Sequence, residues 1–297
     1  MLARPALTVV IASTHPWPSA QACLEILAPQ CRALNAELLV GDSTGEGLPN
    51  PLPDSPGGVR CIVNPGASIF DLRAQCTESA RGEIIAWTED HCRPAEDWCR
   101  RILKAHETQP DAHAIGGAIL NGSTGSLMDW ANFLCTFAPF LPPLERSRIG
   151  RVPAAANISF KRCAIPAGPL AAGRIELTLE AELWSKGKIG FDERILVSHV
   201  QSWGFWGTPH AHFHNGRSTT GLRAADMDWG RRLGRLLVCG ILPLEILRTV
   251  IMPLAGKPGI PYVRCLPLIA GLAMAHSAGE FTGLLLRGAG SSPLKLE

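Results

Sequence analysis

Short apolar runs alternate with amphipathic stretches over the first two thirds of the chain. Residues 7–12, 36–40, 59–63 and 84–87 form compact runs with few polar interruptions, the mark of buried strands. Between the first two, Cys23, Leu24, Leu27, Cys31 and Leu34 recur at three- and four-residue spacing, one apolar helix face. Residues 69–80 read as a second helix, stopped by Gly82. Strand and helix alternating at this length predict βαβ units and a mainly parallel sheet. Right-handed crossovers then bring the strand ends Ala12, Asp42 and Glu89 to one edge.

The pattern continues with a helix over 95–108 (Trp98, Ile102 and Leu103 inward), a strand over 112–120 and a helix over 126–137. A strand over 152–160, a helix over 174–186 that buries Ile175, Leu179 and Leu183, and a strand over 189–198 follow. Residues 139–151 hold three prolines and several arginines, a loop suited to a lid or a substrate contact. Residues 203–223 are rich in Trp, His and Gly.

Several polar residues stand where this pattern places chemistry. The run 84–87 ends in Glu89, Asp90 and His91, and Pro94 closes it. In open α/β sheets the carboxyl edge is where ligands bind. Two acids and an imidazole there can hold a divalent cation, and the cation can hold a diphosphate; the plain alternative is a solvated turn. On an extended backbone Glu89 and His91 point the same way. Asp42 is either a turn former or an acceptor for the hydrogen bonds of a nucleobase or ribose. His199, after the last strand, is a further ligand candidate. His210, His212 and His214 alternate in a tract that either binds metal or lines a polar edge. Glu176 and Glu180 lie one turn apart; they are an exposed helix face or include a base that takes a proton from an acceptor hydroxyl.

Composition narrows the class. The 297 residues give room for one large domain or two modest ones, and a net charge of +2 leaves no nucleic-acid footprint. Ten cysteines form no C-x-x-C pair, which argues against a zinc ribbon or a disulfide scaffold and for reduced thiols in a cytosolic setting. A zinc site from Cys92, Cys99 and the histidines lacks the usual ligand spacing. Residues 7–12 are too short for the h-region of a signal peptide, so none is expected. Hydrophobicity climbs after about residue 233. Residues 233–254 and 265–286 approach bilayer-spanning length but carry Pro243, Glu245, Arg248 and Pro253, then Pro267, His276 and Glu280. With Arg223, Arg231, Arg232, Arg235 and Arg248 as a basic flank, they read as amphipathic or re-entrant helices on the cytoplasmic membrane face. The alternative is a helical hairpin packed on the catalytic domain. The expected division is 1–225 and 226–297.

The order of these motifs resembles the family 2 glycosyltransferases, nucleotide-sugar enzymes of the GT-A fold. Val9 to Ala12 is similar to their first strand and Glu37 to Ser43 to their second. Arg73, Ala80 and Gly82 lead into the metal-site strand, and Glu89, Asp90 and His91 fall at the D-x-D motif. Pro94 and Trp98 follow at the family's spacing, Ala156 to Arg162 resembles the acceptor-side strand, and Glu176 and His199 match the catalytic acidic residue and a metal-shell histidine. The likeness covers residues 7 to 223. It implies a Rossmann-like α/β domain and metal-dependent inverting transfer from a nucleotide-diphosphate sugar to a lipid-linked or glycan acceptor, as in cell-envelope polysaccharide synthesis. Glu176 would be the base. Ala12, Asp42, Arg73 and Glu89 would bind nucleotide, and Glu89, His91 and His199 would hold Mn²⁺ or Mg²⁺. Asn157 and Glu180 would face the acceptor. Some members end in hydrophobic helices and act on membrane-bound acceptors. The chain departs from the family at His91, in place of an aspartate, at Ile175 in the usual Glu-Asp pair, and at Ala74, where asparagine is common. These departures motivate a second reading, a catalytically silent nucleotide-sugar-binding scaffold of a membrane glycan assembly.

Overall fold

The computed structural model describes residues 4–17, 19–48, 59–144, 153–165, 170, 175–176, 179, 182–183, 188–254, 257 and 259–295. The chain divides into two compact units, Met1–Gly122 with Phe140–Val200, and Ser123–Pro139 with Gln201–Glu297.

The first unit is built on one eight-stranded sheet. Its strands are β1 (Leu7–Ser13), β2 (Glu37–Asp42), β3 (Val59–Val63), β4 (Ile84–Glu89), β5 (Cys92–Pro94), β6 (Ala114–Asn121), β7 (Asn157–Lys161) and β8 (Ile189–His199), in the order β3-β2-β1-β4-β7-β6-β8-β5. β1 and β2 are buried along their whole length, which is why they read as unbroken apolar runs. β3, β2, β1 and β4 are mutually parallel, as are β6 and β8. β7 runs antiparallel to both β4 and β6, and β5 antiparallel to β8. Register puts Ser13 opposite Asp42 and Ala12 opposite Glu89, so the three expected strand ends do share one edge.

Helices α1 (Gln21–Ala33), α2 (Ile69–Ser79) and α3 (Trp98–Thr108) belong to this unit. α2 starts on a capping box: Ser68 Oγ accepts from the Asp71 backbone, and Asp71 Oδ2 accepts from the Ser68 backbone. Such a cap is worth about 1 kcal/mol. Gly82 does not stop α2, contrary to expectation. The helix ends where Ala80 turns extended, and a Cβ on Gly82 would overlap the Thr8 backbone nitrogen. Gly82 is therefore a close-approach residue beside β1. α3 begins three residues later than expected and buries Trp98, Cys99, Ile102, Ala105 and His106, while Leu103 is only half-buried. Of the expected helix over 174–186, Ile175, Glu176, Leu179, Glu182 and Leu183 are helical, and Ile175, Leu179 and Leu183 are buried. Residues 145–151 of the expected lid lie outside the described residues.

The second unit is helical: α4 (Leu127–Phe137), α5 (Gly204–Ala224), α6 (Trp229–Val238), α7 (Leu242–Leu254) and α8 (Tyr262–Leu286). The histidine tract 210–214 thus lies within a helix rather than a loop. α5 escaped the apolar period because many of its buried positions are small or polar, including Thr208, His212, His214, Gly216 and Ser218. α5 and α8 touch backbone to backbone. A Cβ on Gly279 would overlap the Phe213 carbonyl oxygen, and one on Gly216 the His276 carbonyl oxygen. Small residues permit that approach, as they do between packed membrane helices. The apolar stretch 233–254 is split between α6 and α7, whereas 265–286 lies within α8. Among the described residues α8 alone is long and apolar enough to cross a membrane, and one such helix is also what a soluble core supplies.

Candidate active site

The turn after β4 gathers the charged residues. Asp90 and His91 form it, between Glu89 at the end of β4 and Cys92 at the start of β5. His199 ends β8, directly opposite Cys92 in the sheet. Three donor atoms meet here. Glu89 Oε2 lies 3.1 Å from His199 Nε2 and 3.4 Å from His91 Nε2. The two imidazole nitrogens are 2.9 Å apart. Ligands bonded to one cation at about 2.1 Å stand about 3.0 Å apart in neighbouring octahedral positions and about 3.4 Å apart in a tetrahedron. One carboxylate and two imidazoles at these separations fit a divalent transition metal. Cys92 Sγ is also within 4.8 Å of the Glu89 and His199 donors. Burial pushes its thiol pKa well up.

Asp90 stands behind the imidazole rather than among the donors. It is buried, accepts from Ser13 Oγ at 2.6 Å, and takes the Nδ1 side of His91 at 2.7 Å. An acceptor-only carboxylate on Nδ1 turns Nε2 toward Glu89 and His199, the arrangement common behind metal-bound histidines. His15 Nδ1 lies 3.8 Å from the same carboxylate. Burial alone would lower the His91 pKa, but its hydrogen bonds to Asp90 and Glu89 outweigh that and push it up to about 10. Burial also opposes charge on Asp90, and His15, His91 and Ser13 together hold it well below the usual carboxylate range. Glu89 is likewise held low against burial by His199 and His91. His199 goes the other way, lowered by burial despite Glu89. A cation bound by both rings would take His91 in its neutral form, so binding releases a proton.

Arg73, on α2, connects this cluster to the expected base. Its Nη2 donates to Glu89 Oε1 at 2.9 Å, and its Nη1 donates to Glu176 Oε1. The guanidinium is buried and lies 5.9 Å from the centroid of the Trp87 ring. Glu176 and Glu89 therefore sit on two arms of one fork.

The remaining expected residues fall differently. Ala12 is buried beside Glu89 in the sheet. Asp42 is occupied by its own turn, accepting from Thr44 N at 2.8 Å, Thr44 Oγ1 at 2.7 Å and Gly47 N at 2.8 Å. Burial opposes its charge, and these hydrogen bonds lower its pKa all the same. Asn157 is buried and committed to the fold. It accepts from Trp98 Nε1 at 3.0 Å and donates to the Ala118 and Ile195 carbonyls at 2.8 and 2.9 Å. Facing an acceptor would require breaking that set. Glu180 lies outside the described residues. The histidine tract does not converge: His210 and His214 meet at 3.0 Å, while His212 bonds Asn132 at 2.9 Å. Sequence reasoning missed Ser13 and Asp90 as partners; the signal for Ser13 was its place as the first hydroxyl past a buried strand on the ligand edge.

No protein-family model matches the chain, and no curated protein matches it by sequence. Solved structures do. A mannosyltransferase, PcManGT from Pyrobaculum calidifontis in complex with GDP-Man and Mn²⁺, is 14% identical over 96% of this chain and 86% of that one, with a TM-score of 0.52. GalNAc-T7 with UDP, GalNAc and Mn²⁺ is 16% identical, covering 70% of this chain and 46% of that one, with a TM-score of 0.47. The first likeness is one of fold: an α/β sheet flanked by helices, arranged as in that glycosyltransferase.

Proposed function

We propose that the chain transfers a sugar, with inversion, from a nucleotide-diphosphate donor to a hydroxyl of a lipid-linked or glycan acceptor. The observation that carries this reading is the convergence of Glu89 Oε2, His91 Nε2 and His199 Nε2 at the carboxyl edge of the sheet. That edge is where α/β sheets bind ligands. The sequence resemblance to family 2 glycosyltransferases supports it. So does a fold shared with a mannosyltransferase that binds GDP-Man and Mn²⁺.

Glu89, His91 and His199 would hold the cation, with Asp90 and Ser13 fixing the His91 ring. When bound, the cation supplies positive charge to the departing diphosphate, and two imidazoles suit Mn²⁺ better than Mg²⁺. Arg73 adds a second fixed positive group at the same place, where charge develops in the transition state. Glu176 accepts the proton of the attacking hydroxyl. Its ion pair with Arg73 holds it beside Glu89.

The test is release of nucleotide diphosphate from a panel of nucleotide sugars with Mn²⁺, for wild type and Glu176→Ala. The reading expects Mn²⁺-dependent release that Glu176→Ala abolishes while donor binding persists. Wild-type turnover in the variant removes Glu176 from the base role. Donor binding by wild type with no release supports the silent scaffold instead.

A further inference from the structure

The helical unit carries a surface that glycosyl transfer does not use. In α6, Trp229, Leu233, Leu236 and Leu237 fall on one arc, and Arg231 and Arg235 fall on the opposite side. In an ordinary surface helix that arc faces the core. Here three of the four face outward: Trp229 is 62% exposed, Leu233 47% and Leu237 74%. What turns inward is Arg232, whose guanidinium lies 4.4 Å from the Trp229 ring centroid, together with Leu236, which packs against Ala224, Cys239 and Leu284. The exposed apolar side chains continue past the helix end with Ile241 and Leu244.

α8 adds a second stripe. Its buried residues include Cys265, Ile269, Leu272 and Leu284. Val263, Met274, Phe281 and Leu285 are exposed, and spacings of 11, 7 and 4 put them on one helix face. Among the described residues, every exposed large apolar side chain except Val63 belongs to this unit. Scattered exposed apolar residues need no explanation, but successive turns of two helices do.

We propose that this unit docks on an anionic bilayer, with α6 in the headgroup plane, its apolar arc toward the acyl chains and its arginines among the phosphates. Charge selects the occupant. Residues 223–248 hold five arginines against Asp226, Asp228 and Glu245. Asp228 is held by Arg231 and Glu245 by Arg248. An apolar face backed by arginines, with a tryptophan at one end, is the composition of an interfacial helix. The arginines that back the arc lie where the phosphates of anionic lipid neutralise them. The sequence reads residues 233–254 and 265–286 as amphipathic or re-entrant helices at a membrane face; that contact narrows here to the exposed arc of α6 and to the exposed face of α8, whose other face is packed.

The test is co-sedimentation of the full chain with phosphatidylcholine vesicles, with and without phosphatidylglycerol, at low and high salt. Tight binding is expected with phosphatidylglycerol, weakened by salt. Leu233→Glu with Leu237→Glu should weaken binding at least tenfold with an unchanged melting temperature. Met274→Glu with Phe281→Glu tests the α8 stripe independently and should also weaken binding. Sedimentation of both double variants like wild type overturns the proposal. So does a wild-type dimer that Leu237→Glu breaks, without any vesicle binding. Neither outcome bears on nucleotide-sugar cleavage, which is read in solution.

Discussion

Asp90 holds the Nδ1 edge of His91 at 2.7 Å, and this turns the opposite nitrogen to within 2.9 Å of His199 Nε2. The carboxylate is itself fixed by Ser13 Oγ, 77 residues earlier in the chain. Asp90→Asn keeps the size and loses the ionised acceptor, so the ring is no longer committed to one tautomer. Mn²⁺ affinity should fall by roughly 10- to 100-fold, the usual effect of losing a partner behind a metal-bound histidine. Ser13→Ala should give a smaller loss in the same direction. Mn²⁺ titration followed by electron paramagnetic resonance reads both. An unchanged affinity in Asp90→Asn would show that His91 is not oriented this way for the ion.

Asn157 offers a contrast, because its amide is spent on Trp98, Ala118 and Ile195. Asn157→Ala removes three buried hydrogen bonds and leaves the Trp98 indole without this partner, and should destabilise the protein by roughly 4 kcal/mol. Chemical denaturation checks this. A residue that only faced the acceptor would instead change transfer kinetics and leave stability alone.

His106 makes stability sensitive to acid. It is buried, its Nε2 lies 3.0 Å from Ser159 Oγ, and burial with the nearby Lys161 charge lowers its pKa to about 4. The unfolded chain takes up a proton near pH 6.5, and the folded one does not until about pH 4. The stabilisation is therefore complete above about pH 6.5 and is lost as pH falls from there toward 4, roughly 3 kcal/mol in all. His106→Gln should flatten the denaturation midpoint against pH in that window. An unchanged slope would mean that other groups carry it.

Much of the sheet was legible because β1, β2 and β4 are buried on both faces, and double burial leaves an unbroken apolar run. Glu89, His91 and His199 stood out because polar residues at the ends of such runs lie on the ligand edge. What could not be read was direction. The turn at Asp90 and His91 sends one side chain behind the other, and only partners 77 and 108 residues away define which is which. Arg73 and Glu176 are 103 residues apart, so no local pattern announced their ion pair. α5 was hidden for a different reason: glycine and polar side chains fill its contacts, and these carry no hydrophobic period.

The most direct measurement is Mn²⁺ binding to wild type, Glu89→Ala and His199→Ala, with and without a nucleotide diphosphate. We expect one ion per wild-type chain, held more tightly with the nucleotide, and loss of that ion in both variants while they remain folded. Binding of the same stoichiometry and affinity in all three proteins would contradict the site.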